Sequence, residues 1–282
     1  MAVTEQLKKL VDQMPNPDKR GMLTGEMDSE KTEKAVDAIA AGGKENILGL
    51  IEMLDEPGSA ASAKPQYALH CVVNHSLVTQ NERQRKEFCE AIASQLTNKK
   101  LLPYNRAFLC QELQWAGRDE VCQALGSVLL DEHVSDDAAT ALAAIGGERA
   151  AAQLRMAANK AQGKAQLNLI DALAALAEPT AADTFTAALD EKDREVRIAA
   201  AVGLANIGHS EAAEPLFKAA DAAEGWERTQ LTKACLVLAE NLAAGGKKQD
   251  AKRIYERLKT SRTSKNEQHI RDAAELGLAA MA

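Results

Sequence analysis

Five leucines, Leu113, Leu142, Leu173, Leu204 and Leu238, recur at intervals of 29, 31, 31 and 34 residues within apolar runs of helical period. This spacing restricts the fold more than any other feature of the chain. Four residues beyond the first four leucines stand Gly117, Gly146, Ala177 and Gly208, and twelve residues beyond them stand Leu125, Leu154, Phe185 and Leu216. An apolar helix, a stop and a second apolar position, repeated about every 30 residues, describe one helix pair of a stacked array, because a lone pair cannot bury its apolar face. At the stop, glycine is expected to provide a left-handed cap.

Composition agrees with helices. Aromatic residues make up only 3% of the 282 residues, whereas strands favour aromatic and β-branched side chains. The expected fold class is all-α, a right-handed α-solenoid of about seven helix pairs, folded as one continuous unit. A chain of this length buries about three quarters of its unfolded surface, so it needs no covalent staples. The five cysteines, Cys71, Cys89, Cys110, Cys122 and Cys235, are odd in number and widely spaced, as suits reduced core thiols in a reducing compartment. Met1 to Leu10 has no signal-peptide pattern, and no window approaches the roughly 18 apolar residues of a membrane span. The expectation is a cytoplasmic protein with no membrane insertion, unless a native leader has been removed.

Along the chain, residues 1–25 read as an N-terminal capping helix, with Val3, Leu7, Leu10 and Met14 in helical register, stopped by Pro15 and Pro17 and followed by a connector containing Gly21. Residues 26–282 read as a single solenoid, clearest over 101–245, with terminal capping helices over 246–282. Helices over 35–41 and 45–54 are broken at Gly42 and Gly43. Residues 55–64 have loop composition, and Pro65 is placed to open the next helix.

The best copy of the repeat runs Ala188-Leu189-Asp190, then Asp193-Arg194-Glu195-Val196-Arg197, then Ala200, Leu204 and Gly208. It resembles HEAT repeats of the short bacterial kind, including those of planctomycete-like proteins, in which Leu-Asp ends the first helix and Asp-x-x-Val-Arg begins the second. Leu130-Asp131 with Asp136 to Gly146 is a second copy without the Val-Arg, and the copy around Leu173 lacks both the arginine and the final glycine. Pro215-Leu216 also fits a first helix of that family. Residues 239–258 resemble a TPR motif. The resemblance implies that Asp193 and Arg197 pair between neighbouring repeats and that the second helices line a concave surface.

On each second helix, offsets of -9, -2 and +2 from the register leucine point away from it, at about 100° per residue. These offsets select Tyr104, Gln111, Trp115, Thr140, Asp171 and Asn206 as the candidate partner-binding column, continued by Glu195 and Glu240. Tyr104 and Trp115 read either as an aromatic anchor for a partner or as core packing against the preceding repeat. The leading functional expectation is a noncatalytic scaffold binding a protein or peptide. The family also contains bilin lyases and alkylbase DNA glycosylases, which makes an enzyme the alternative.

No hydrolase elbow, phosphate-binding loop, dinucleotide fingerprint or His-Glu-x-x-His motif is present. His70 and His75 are five apart, about 140° around a helix, which is poor geometry for a shared metal, and they read as partly buried helix histidines. No catalytic residue, cofactor or metal ligand is therefore assigned. A net charge of -7 disfavours nucleic acid. The basic run Lys247, Lys248, Lys252, Arg253, Arg257, Lys259, Arg262 and Lys265 reads first as the solvated face of a terminal helix, with phosphate contact as the other reading.

Overall fold

The structure, a computed structural model, describes residues 3–18, 28–56 and 59–281. The expected connector up to residue 25, with Gly21, falls largely outside them, as do Pro57 and Gly58. The described residues form sixteen α-helices. Their contacts divide the chain into two compact units, residues 1–145 and 146–282, where sequence reasoning placed one solenoid from residue 26 onward. The division falls at Gly146 and Gly147, adjacent residues both with positive φ (73° and 75°) and nothing near a Cβ position, so neither lies in close packing.

The first unit contains α1 (Glu5–Val11), α2 (Ser29–Ala41), α3 (Gly43–Glu52), α4 (Ala60–Val78), α5 (Glu82–Ala93), α6 (Pro103–Ala116), α7 (Cys122–Gly126) and α8 (Ser135–Ile145). α2, α4, α6 and α8 lie side by side as one layer, with α3, α5 and α7 packed behind it and α1 against α2, α3 and α4. The second unit contains α9 (Gly147–Ala158), α10 (Gly163–Leu176), α11 (Ala182–Ala188), α12 (Arg194–Ile207), α13 (Ala213–Ala222), α14 (Gly225–Ala244), α15 (Lys248–Ser261) and α16 (Gln268–Ala279). Here α10, α12, α14 and α16 form a row backed by α9, α11, α13 and α15. Counted from α3, the helices make seven successive pairs. Every register leucine is at most 1% exposed, so the repeat read from the sequence is the core of both units.

Side-chain caps explain four of the long-helix starts: Asp28, Ser59, Asn81 and Asp193 each accept a hydrogen bond from a first-turn N–H. Ser59 also accounts for one correction. It starts α4 at Ala60, so Pro65 lies inside that helix and does not open it. A second correction concerns the stops. Gly208 is left-handed (φ 67°), but Gly117 is extended (φ -68°) and is required for space, since a Cβ there would lie 2.5 Å from the Leu113 carbonyl oxygen and 2.7 Å from Val121. Where the pattern has alanine, Ala177 itself adopts the left-handed conformation (φ 50°).

A polar rung recurs seven residues before the register leucine. Arg106, Ser135, Gln166 and Arg197 occupy that position. The first, second and fourth donate to carbonyls at the end of the preceding helix or turn, those of Leu96, Leu129 and Glu191. Arg106 also reaches Asp131 at 2.7 Å, Gln166 reaches Glu191 at 3.0 Å, and Arg197 grips both oxygens of Glu227 at 2.5 and 2.8 Å. The repeat-stacking partner of Arg197 is thus Glu227. Asp193 instead caps its own helix through the Glu195 N–H at 2.9 Å, a geometry that turns its carboxylate toward the backbone.

The basic run near the C-terminus is only partly solvated. Lys252 and Arg253 are exposed, but Arg257 stacks on Phe217 at 4.0 Å, and Arg262, 1% exposed, pairs with Asp221 at 2.5 Å. These contacts tie α15 to α13, and they bury the Arg262 guanidinium while Arg257 stays partly exposed.

Candidate functional site

In the first unit, the face of the α2–α4–α6–α8 layer turned away from the backing helices collects the side chains able to meet a partner. α6 contributes Tyr104, 52% exposed, and Trp115, 66% exposed. Neither ring is core, which decides between the two sequence readings of their environment. Gln111, also exposed, donates its side-chain amide to Asp137 of α8 at 2.9 Å, and Thr140 is exposed one turn further along α8. The column selected by sequence therefore spans two adjacent helices as a surface.

Half of this face was not anticipated. α4 carries Tyr67, His70, Cys71, Asn74 and Val78 at helical spacing along a groove of about 650 Å³, whose opposite wall is Ser29, Thr32, Glu33, Val36 and Asp37 of α2. His75 also lines it, with Nδ1 at 3.4 Å from Asp37 Oδ1. His70 joins the groove to α6: its Nδ1 lies 3.0 Å from Glu112 Oε1, and Asn74 Nδ2 lies 2.9 Å from its Nε2. Glu112 is buried and precedes Trp115 by three residues, so the ion pair and the indole share one side of α6. The His70 pKa is raised because the Glu112 carboxylate accepts from its imidazolium, against the opposing effect of burial. The histidines were read as helix packing, and spacing alone had no means of pointing to a carboxylate 42 residues away.

Burial sets the remaining chemistry. It pushes the Cys71 thiol up, and pushes those of Cys89, Cys110 and Cys235 to about 12. A thiol held there is protonated near neutrality and is a poor nucleophile. The Tyr67 hydroxyl, raised to about 12 by burial and by its bond to Cys71, also stays neutral. Among the described residues, no three histidine, cysteine or acidic side chains converge as a metal site, and no helix is long and apolar enough to cross a membrane.

In the second unit, Asp171 and Asn206 are exposed on α10 and α12. Desolvation, with Glu195 beside it, raises the Asp171 pKa. Asn206 has a structural part: its side-chain amide donates to the Ala174 carbonyl at 3.0 Å, and Asn241 does the same to Ala205 at 2.8 Å. Both acceptors are carbonyls near the ends of α10 and α12, and that of Ala205 also accepts from the Gly208 N–H. One exposed aromatic was missed, Trp226 at 60% exposed on α14. It lies one turn ahead of Thr229, which stands nine residues before the register Leu238 and so at one of the three outward offsets, and the signal was therefore present.

Residues 159–236 match the family of HEAT repeats. The HEAT-like helical repeat is thus established over the part of the second unit that contains Leu173 and Leu204. No curated protein matches the sequence. Among solved structures, an engineered protein is similar at 19% identity and a TM-score of 0.46, covering 99% of this chain and 79% of its own. The CpcE–CpcF complex of phycocyanin lyase from Nostoc sp. is similar at 15% identity and a TM-score of 0.35, covering 95% and 93%. A designed armadillo repeat protein in complex with the peptide (KR)4 is similar at 21% identity and a TM-score of 0.27, covering 97% and 99%.

Proposed function

We infer that the protein is a noncatalytic interaction scaffold, and that the exposed face of the α2–α4–α6–α8 layer docks a segment of a partner protein. The observation that carries this reading is the exposure of Trp115 and Tyr104 on α6, in a chain with only nine aromatic residues. Exposed aromatics at the centre of a surface are the usual anchors of protein recognition, because each buries a large area with few rotamers to freeze. Their polar surround of Gln111, Asp137, Thr140 and the His70–Glu112 pair supplies the directional contacts such an anchor needs.

The enzyme alternatives find less support. A DNA-acting face requires Arg and Lys toward phosphate, whereas this one presents Glu33, Asp37 and Asp137. Cysteine chemistry would need an activated thiol, and burial acts in the opposite direction on Cys71.

The test is a peptide-display selection against the immobilised protein and against Tyr104→Ala/Trp115→Ala. The native chain should enrich segments that compete with one another, and the double variant should enrich none while keeping its helical circular dichroism. Equal enrichment on both proteins would refute the reading, and so would loss of helicity in the double variant, since the rings would then be structural.

A further inference from the structure

The groove between α2 and α4 has walls of two distinct kinds. Val78 and the Tyr67 ring offer apolar surface above the buried Val36, and Val78 is 83% exposed although valine is normally covered. Glu33 and Asp37, one turn apart on α2, put two carboxylates on the same edge, and among the described residues lining the groove there is no lysine or arginine. A long alkyl chain ending in a cation has the complementary form, since its stem lies along apolar surface while its charge stays at the polar edge.

Resting on the reading of this face as a docking surface, we propose that the groove is a subsite for a lysine or arginine side chain of an extended partner segment, held by Glu33 and Asp37 over Tyr67, Val36 and Val78. Three features support this occupant. Charge is complementary, in a protein of net charge -7. The groove, about 650 Å³, is large enough for the stem of such a side chain and open along its length. It is also continuous through His70 and Glu112 with α6, so a segment anchored at Trp115 is directed toward it. Asn74 and His70, already hydrogen-bonded to each other, form the end of the groove nearest α6. Glu112 is engaged by His70 at 3.0 Å and Asp37 Oδ1 lies 3.4 Å from His75 Nδ1, so an incoming cation meets Glu33 beside a His75–Asp37 pair whose carboxylate it shares.

The experiment uses the full chain and a fluorescein-labelled, end-blocked peptide of alternating lysine and glycine, followed by anisotropy at low salt. Its lysine-acetylated counterpart has the same length and no charge. The lysine peptide should bind and the acetylated one should not. Glu33→Gln/Asp37→Asn should weaken binding roughly tenfold, as expected for two partly exposed charge pairs. Glu90→Gln/Glu132→Gln removes the same charge from carboxylates that are 54% and 86% exposed elsewhere on the unit, and should change affinity less than twofold. Equal weakening by both double variants would overturn the proposal, because attraction would then be nonspecific. Equal affinity for the acetylated peptide would also overturn it. If segments recovered by display depend on Trp115 but contain no lysine or arginine and ignore Glu33→Gln/Asp37→Asn, the subsite fails while the docking face stands. If no peptide binds and display recovers nothing, both fail.

Discussion

At the scale of single residues, the polar rungs combine burial with charge. Arg106 is 3% exposed and Asp131 is 14% exposed in its side chain, and Lys99 reaches the same carboxylate from solvent. Hydrogen bonds from Lys99 and Arg106 hold the Asp131 carboxyl well below the usual carboxylate range. A depressed folded pKa stabilises the protein above the unfolded value of about 3.9, and that stability is lost as pH falls through it toward the folded value. Asp131→Asn, which keeps the shape but not the charge, should cost about 1–3 kcal/mol at pH 7. Urea melts should show the gap between variant and native protein narrowing progressively as pH falls below about 3.9, because the unfolded carboxyl then takes up a proton while the folded one is still charged. A gap of constant size over that range would assign the rung to shape alone.

The same residues show what the sequence could convey. The stacking role of Arg197 in the best repeat copy was visible through the resemblance to HEAT repeats, which paired it with Asp193. The carboxylate that Arg197 grips was not, because Glu227 stands 30 residues away on a helix whose rotation only packing fixes. Trp115 lies two residues from Leu113, enough to place it opposite the core; only the position of α4 decided that nothing covers it. Asn206 was legible as exposed but not as engaged, since its acceptor, the Ala174 carbonyl, belongs to the neighbouring repeat.

Among elements, close approach through small residues replaces the aromatic packing that the composition denies. Gly203 of α12 faces Phe185 of α11 so closely that a Cβ would overlap the ring, and Gly277 of α16 stands in the same relation to Tyr255 of α15. Replacing a mid-helix glycine with alanine ordinarily gains up to about 1 kcal/mol from helix propensity. Here the overlap is with a fully buried aromatic ring, and overpacking costs about 1–3 kcal/mol. Gly203→Ala is therefore expected to lower the melting temperature. A rise would mean that the ring moves aside freely and that the contact between α11 and α12 is looser than its geometry implies. Helix order and register were readable in advance because leucine periodicity is a local signal. The face of α4 was not, because the ruler began at Leu113 and α4 lies before its first mark.

For the whole molecule, charge governs encounter. With 41 acidic and 34 basic residues, and Arg257 and Arg262 held against Phe217 and Asp221, the surface attracts cationic partners over distances of about one Debye length, roughly 10 Å at 0.1 M salt. Raising ionic strength from about 0.02 to 0.5 M should slow association of the lysine peptide at least severalfold, whereas Trp115→Ala should act mainly on dissociation. Stopped-flow anisotropy separates the two rates, and an association rate indifferent to salt would remove charge from the account of encounter.

The rungs that reach from one repeat to the next also bear on how such a chain can change in length. Arg106 to Asp131, Gln166 to Glu191 and Arg197 to Glu227 each cross a repeat boundary. A deletion cut at the turns between repeats would leave a donor in one helix and its acceptor in the excised piece. A cut between α7 and α8, in the middle of a repeat, keeps the buried Arg106 together with Asp131, whereas Arg197 keeps Glu227 only where α12 and the start of α14 are retained together.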